Sequence, residues 1–394
     1  MKVIRDPIHD YIELDELALA LIETPQVQRL RRIRQLGFSN LVYPGANHTR
    51  FEHSLGVYHL AKHLVKQVDE HQRNELLAAA LLHDIGHGPF SHATEELISH
   101  YTRKNHEDIE KFLRKGEISD ILKEYSLSPS AIAGHIRGET NPGQIIHSEI
   151  DVDRMDYLVR DAHYTGVAFG LIDHVRLIHE LKFNENKLVL NLGGLQAAES
   201  LLVSRFLMHP TVYFHHVSRI AESMCHHAAG YMIEKGLDPE NLRRMDDCTF
   251  MMEMKSTGGY ASEIAERLDG RKLFKRALYT SFDSVNMDVI KLRKNIRRVE
   301  TEIAQSAGIE PEYVLVDIPE KPEIAEMKAQ VIDNGKMISI DKASNLVASL
   351  EKAQLDNWRL GVFTPPEFKE KVGSIAREFF EVKRDLKQFK LTDI

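Results

Sequence analysis

A chain of 394 residues with 43% apolar side chains is long enough for one large core and a smaller unit. Its 51 basic against 59 acidic residues give a net charge of −8, which excludes a surface coated for duplex nucleic acid. Two cysteines, Cys225 and Cys248, exclude a disulfide framework, and no apolar run approaches the ~20 residues of a membrane span or forms a signal peptide, so the expected location is cytoplasmic.

In chain order, Met1 to Leu14 sets Val3-Ile4 and Tyr11-Ile12 on either side of Asp6-Pro7, which predicts a short two-stranded ribbon. Leu17 to Leu36 has helical apolar spacing interrupted at Thr24-Pro25, where Thr24 is expected to cap and Pro25 to open a second helix. Its basic residues Arg29, Arg31, Arg32 and Arg34 read as a solvated face or as a contact to phosphate or a partner subunit. After the loop Tyr43 to Thr49, Arg50-Phe51-Glu52-His53 opens a helix with His53 near its start. Glu75 to Leu82 is the next helix; Gly86, Gly88 and Pro89 break it within a turn of His83 and Asp84.

Helices are expected over Thr94 to His100, His106 to Leu113 and Ile145 to Arg160, the last an acidic stretch carrying Asp151, Asp153, Asp156 and, at its end, Asp161. Phe183 to Leu192, centred on Asn184-Glu185-Asn186-Lys187, predicts a β-hairpin, and Leu195 to Ile233 returns to helix. From Glu312 the apolar period drops to two, with an Asn334-Gly335 hairpin turn. A helix over Leu346 to Leu355, a strand over Trp358 to Phe363 and a terminal helix over Pro365 to Phe389 follow. The expected fold is mainly α, with a helical core over 1–300 that includes the ribbon 1–14, and a smaller α+β subdomain over 301–394.

Ten of the 21 histidines fall between His48 and His106, so one histidine taken alone signals nothing, and His53 by itself reads as a packed or surface residue. The ordered set is different: His53, the adjacent pair His83-Asp84, and an aspartate about seventy residues on, best assigned to Asp153. Two imidazoles and two carboxylates suit a divalent ion such as Mn, Fe, Zn, Ni or Co, with Mg kept open, rather than calcium. Such a site is neutral when loaded and leaves positions for water or a phosphate oxygen.

Four blocks carry a resemblance: Met1 to His9 (MKVIRDPIH), Tyr43 to Val57 (YPGANHTRFEHSLGV), His83 to His92 (HDIGHGPFSH) and Ile150 to Tyr157 (IDVDRMDY). The H…HD…D order resembles the HD-domain metal-dependent phosphohydrolases, and the blocks resemble more narrowly their deoxynucleoside triphosphate triphosphohydrolases. The resemblance covers roughly residues 1–230, with the motif region at 45–165. It implies an HD-domain helical core and hydrolysis of a dNTP to deoxynucleoside and inorganic triphosphate, by water attack at the α-phosphorus. It also implies a homo-oligomer, a dimer or tetramer.

Carried over residue by residue, it implies metal ligands at His53, His83, Asp84 and Asp153. It implies phosphate or proton-transfer groups at His87, His92 and His106, with Glu95 orienting His106 and Glu107 beside it. Arg50 and Arg205 match triphosphate contacts, Gln35, Leu36, Tyr157 and Asp161 the deoxyribose wall, and Tyr213 and His215 the surroundings of the base. A nucleotide activator site would use Lys2, Glu23, Gln28 and Arg31. The chain departs from the vertebrate pattern at Pro210, Thr211 and His216, where that pattern is basic, and at Arg5 and Glu23. Other HD-type chemistries (nucleotidase, phosphodiesterase or nuclease) and a nucleotide sensor without turnover remain the competing readings.

Overall fold

In the computed structural model of the chain, residues 2–320 and 328–383 are described, the side chain of Glu351 excepted. The ribbon forms as β1 (Lys2–Asp6) and β2 (Asp10–Leu14), antiparallel, with Lys2 opposite Leu14. Asp6 Oδ1 accepts from the main-chain N–H groups of Ile8 and His9, which closes the turn and turns His9 inward, where it is buried. Helix α1 (Glu16–Glu23) starts at Asp15, whose side chain accepts from Ala18 N, and α2 (Pro25–Arg29) opens at proline. Thr24 does not cap α2, because its hydroxyl donates back to Leu21 O. Nor does the helix reach Leu36: beyond a 3₁₀ turn at Leu30–Arg32 the chain extends, and Arg34 bridges Thr49.

Thr49 and Glu52 form a capping box, so α3 (Arg50–Leu64) begins with Arg50 and His53 in its first turn. Helix α4 (Glu70–Leu82) is buried from Glu75 to Leu82 and passes into a 3₁₀ turn at His83–Gly86. Then come α5 (Ser91–Thr102), the short α6 (Glu110–Leu113), α7 (Gly116–Glu124) and α8 (Pro129–Ile136). The predicted helix at His106 begins only at Glu110; 103–109 is a loop. Asp151 caps α9 (Val152–Thr165), which puts Asp153 in its first turn. Helix α10 (His174–Glu180) leads into the hairpin β3 (Leu181–Asn184) and β4 (Lys187–Asn191). The long helix expected to follow is two, α11 (Leu195–Met208) and α12 (His216–Glu234), separated by a π turn at His209–Tyr213 around Pro210.

Helices α13 (Pro239–Arg244), α14 (Asp247–Thr257) and α15 (Gly259–Asp269) precede strand β5 (Lys275–Ser281). Strands β6 (Leu315–Asp317) and β9 (Arg359–Thr364) join β5 in an antiparallel sheet of order β5-β9-β6, covered by the helices Ile296–Ala307 and Lys369–Phe379. The predicted hairpin forms as β7 (Gln330–Asp333) and β8 (Lys336–Ser339), but β7 pairs in parallel with β4 and packs its Val331 into the first core. Chain on either side of residue 300 therefore shares one sheet, and residues 329–347 return to the large helical core. The expected terminal helix is described over Lys369–Phe379; its span beyond 383 lies outside the described residues. The fold is mainly α with small β elements, and among the described residues no helix is long and apolar enough to cross a membrane.

The α12 face toward the β5-β9-β6 sheet is polar: Arg219 Nε donates to Asp317 Oδ2 at 2.9 Å, and Glu300 Oε1 lies 2.8 Å from His227 Nε2 and accepts from Val316 N at 2.9 Å. Glu222, in the same seam, has its carboxyl pushed up to about 7 by burial, partly offset by Arg219 and reinforced by Asp317. A carboxyl raised in the folded state contributes stability that is present below its unfolded pKa and lost as pH rises through the folded one. Between pH 5 and 8 the wild type is therefore expected to lose about 1–2 kcal/mol relative to Glu222→Gln in urea unfolding. Parallel stability curves for the two proteins would contradict this.

Candidate active site

Helices α3, α4 and α9 pack against one another and present the chemistry at their ends. His53 Nε2 lies 3.3 Å from His83 Nε2 and 2.8 Å from Asp153 Oδ1. His83 Nε2 is 3.4 Å from Asp84 Oδ1 and 3.8 Å from Asp153 Oδ1. Among the described residues, His53, His83 and Asp84 each bring a ligand atom within 4.8 Å of the other two, a cluster that could hold one metal ion, and Asp153 Oδ1 lies beside the two histidines. The far nitrogens support that reading. His83 Nδ1 sits 2.8 Å from Ala80 O, a carbonyl that only accepts, so the proton is on Nδ1 and the Nε2 lone pair points inward. His53 Nδ1 lies 2.8 Å from Asp156 Oδ2, the carboxylate arrangement that orients a metal-binding imidazole.

Burial works against a charged His53, yet Asp153 and Asp156 outweigh it and raise its pKa to about 10. Asp84 is held well below the usual carboxylate range, against its burial, by Arg50 and the neighbouring histidines. Arg50 Nη1 donates to Asp84 Oδ2 at 2.9 Å and its Nε to Ser91 Oγ at 3.0 Å, which leaves Asp84 Oδ1 facing the histidines.

Asp156 was not singled out by its sequence context, yet it is the hub behind the site. Fully buried, it accepts from Arg160 Nε and Nη2, both at 2.9 Å, and meets His9 Nε2 at 2.6 Å as well as His53. Arg160 in turn reaches Asp6 Oδ2 at 2.9 Å, so the ribbon turn buttresses a metal-type ligand. The one available signal was position: Asp156 falls three residues after Asp153, on the same helical face. Gly56 makes the hub feasible, because a methyl there would overlap the Asp156 carboxylate and stand 2.6 Å from Arg160 Nη2. Gly56→Ala is expected to lower unfolding free energy by about 1–3 kcal/mol, read by urea denaturation; an unchanged midpoint would contradict the packing described.

A second group lies beside the first. The His87 and His106 rings stack 4.1 Å apart at 13°, with Glu95 in contact with His106 Nδ1 and its Oε2 3.7 Å from His87 Nδ1. Two near-parallel rings cannot both aim an in-plane lone pair at one cation, so this trio suits proton handling better than metal binding. Burial opposes a charge on His106, but Glu95 outweighs it and raises the pKa; burial, Arg50 and His106 push His87 down to about 3. The two stacked imidazoles are thus shifted in opposite directions, an arrangement that separates acid from acceptor. His92, in the first turn of α5, is exposed. Glu107 turns away from His106, its Oε1 3.2 Å from His147 Nδ1, because 103–109 is a loop and not a helix.

Across the site, Asp161 bonds His48 Nε2 at 2.7 Å and accepts from Tyr213 OH at 2.9 Å. Tyr157 bridges from His53 to Tyr213, with ring centroids 6.4 and 6.2 Å away. Burial pushes its hydroxyl up to about 12, an effect that the nearby Arg205 cation opposes. Leu36 is buried, Gln35 Oε1 is buried without a hydrogen-bond partner, and His215 caps α12 through Val217 N. Lys2 pairs with Glu23, and Gln28 accepts from Arg31 Nε, on the surface at the α1–α2 junction. Of the other arginines of that stretch, Arg29 turns inward to main-chain carbonyls, while Arg32 keeps an exposed side chain that reaches Asp246.

A mainly helical core in which His53, His83 and Asp84 form one cluster able to hold a metal ion, with Asp153 beside the histidines, fits a metal-dependent phosphohydrolase. The model of the HD domain matches residues 50–161, and that of the HD associated region matches 172–391. The chain belongs to the HD-domain phosphohydrolase family. It is 35% identical to an uncharacterized protein of Methanocaldococcus jannaschii over 96% of this chain and 84% of that one. It is 30% identical to the human deoxynucleoside triphosphate triphosphohydrolase SAMHD1 over 81% of this chain, spanning 62% of that protein. A hypothetical protein from Aquifex aeolicus has the same fold, with a TM-score of 0.78 at 32% identity over 95% of this chain and 99% of that one.

Proposed function

We propose that the chain hydrolyses deoxynucleoside triphosphates to deoxynucleoside and inorganic triphosphate, by water attack at the α-phosphorus. The observation that carries this is the juxtaposition of three groups: the candidate ligands His53, His83, Asp84 and Asp153, the His106–Glu95 pair, and the Asp161–Tyr213–Tyr157 face. The 30% identity to an enzyme whose name states this activity supports it. A divalent cation on the four ligands would polarise a phosphoryl oxygen and supply the attacking water. His106 donates its proton to the departing 5′-oxygen and Glu95 holds the ring for that transfer. Arg50, His87, His92 and Arg205 receive the triphosphate, while Gln35, Leu36, Tyr157 and Asp161 border the sugar as a wall that would exclude a 2′-hydroxyl. Tyr213 and His215 border the base, and Glu107 supports the loop from outside through His147.

Assembly into a homo-oligomer and a nucleotide activator site at Lys2, Glu23, Gln28 and Arg31 belong to the same proposal, as does a subunit-packing role for the residues after 300. Turnover of each dNTP against its ribonucleotide, with Mn, Mg, Ni and Co, tests the reading. Selective formation of inorganic triphosphate from dNTPs supports it. Release of pyrophosphate or orthophosphate would point to another HD-type chemistry, and tight dNTP binding without product over hours to a sensor.

A further inference from the structure

Three consecutive carbonyls of the metal-bearing turn are bonded to guanidinium groups. Arg29 Nη2 takes Ile85 O at 2.7 Å and His87 O at 2.9 Å, while Arg243 Nε takes Gly86 O at 2.9 Å. The far end of Arg243 serves the loop that carries His106: Nη2 lies 2.8 Å from Asn105 O, 3.2 Å from Asp108 O and 3.5 Å from His106 O. Arg243 comes from the last turn of α13, in the HD associated region, and is only 1% exposed. Its hydrogen-bond partners are main-chain carbonyls, and among the described residues no carboxylate pairs with it. A cation buried without a carboxylate is costly, and these carbonyls are what it gains in return.

Gly86 adds an independent observation. A methyl there would overlap His106 O and stand 2.7 Å from Ile109 Cγ2 and 2.9 Å from Arg243 Nη2. The metal-bearing turn and the His106 loop are thus pressed together, with the guanidinium across the seam. The loop has neither helix nor strand over 103–109; beside its own Asn105–Asp108 turn and the Glu95 contact to His106, Arg243 ties its main-chain carbonyls to the Gly86 turn.

We propose that Arg243 is a positioning residue for the proton donor, fixing the His106 main chain against the Gly86 turn so that the ring stays between His87 and Glu95. The proposal rests on the reading of His106 as the acid that protonates the leaving oxygen. It assigns to the associated region a direct part in catalysis: the region supplies the brace that sets the distance from metal ligands to proton donor. Lysine in its place keeps the charge but offers one compact head, which cannot span Gly86 O and Asn105 O together.

The experiment compares wild type, Arg243→Lys, His106→Gln and the double variant. General acid catalysis contributes about 10²–10⁴-fold, so Arg243→Lys is expected to lower kcat for dNTPs by about 30–100-fold, with KM within about 3-fold and metal content unchanged. Hydrolysis of thymidine 5′-monophosphate p-nitrophenyl ester, whose leaving group needs no proton, is expected to fall by less than about 3-fold. The double variant is expected to be no slower than His106→Gln alone, because the two changes remove one function. Hydrogen exchange is expected to rise over 104–110 and not over 76–82. Equal losses on both substrates, loss of metal, additive effects in the double variant or unchanged exchange over 104–110 would each overturn the proposal. If Arg243→Lys does not fold, Gly86→Ala displaces the His106 carbonyl from the other side and must give the same pattern. Should the wild type release no triphosphate from any dNTP, the dNTP reading falls, while exchange over 104–110 and the aryl ester assay still judge Arg243.

Discussion

Replacing Asp84 with alanine is expected to abolish metal retention and turnover together. Metal content should fall to less than about one tenth per chain and kcat by about 10³-fold or more, since a charged ligand is removed from a four-ligand set. Asp84 serves two partners at once. Its Oδ1 faces His83 and His87 at 3.4 and 3.3 Å, and its Oδ2 receives Arg50 Nη1. Alanine therefore opens the donor set and also leaves the Arg50 guanidinium, which is buried, with Ser91 Oγ as its remaining hydrogen-bond partner. Elemental analysis of the purified variant beside its kinetics checks this. Full metal content with no turnover would mean that Asp84 acts on substrate and not on the ion.

The second large effect is on stability. Asp156→Ala is expected to cost about 3–5 kcal/mol of unfolding free energy, because it strips a fully buried arginine of its closest carboxylate. Among the described residues Arg160 would keep the ribbon's Asp6, His9 Nε2 would lose its partner, and His53 would lose the one on Nδ1. Metal affinity should fall with it, by about 10–100-fold, as the imidazole of His53 loses its orientation. Urea unfolding and chelator competition read the two effects separately. A variant that unfolds early yet binds metal as tightly as wild type would show that Asp156 holds the ribbon but does not orient His53.

The fold class could be read from the sequence because its evidence is local. Apolar spacing marked α3, α4 and α9, and Asn334-Gly335 marked the β7–β8 turn, where both residues take positive φ, 47° and 78°. The clustered residues His53, His83 and Asp84, and Asp153 beside them, stood out in the sequence for a related reason. Each member lies within a turn of a helix end that its own neighbours specify: the Thr49–Glu52 box, the glycine stop after Asp84 and the Asp151 cap.

What could not be read depends on distant partners. Arg29 and Arg243 look like surface charge until the carbonyls of Ile85, Gly86 and His87 are seen to need donors. The helix expected at His106 has good propensity but yields to the anchored loop, and Glu107 goes to His147 with it. Strand β5 was missed because its pairing partner, β9, lies some eighty residues further on. The parallel β4–β7 contact carries no sequence signal at all, since either strand reads equally well as part of its own hairpin.

The most direct test of the central claim is a single turnover of a dNTP in H₂¹⁸O with metal-loaded protein, products resolved by mass. Attack at the α-phosphorus with loss of the 5′-oxygen predicts one ¹⁸O in inorganic triphosphate and none in the deoxynucleoside. Label in a deoxynucleoside monophosphate or in orthophosphate would contradict the account.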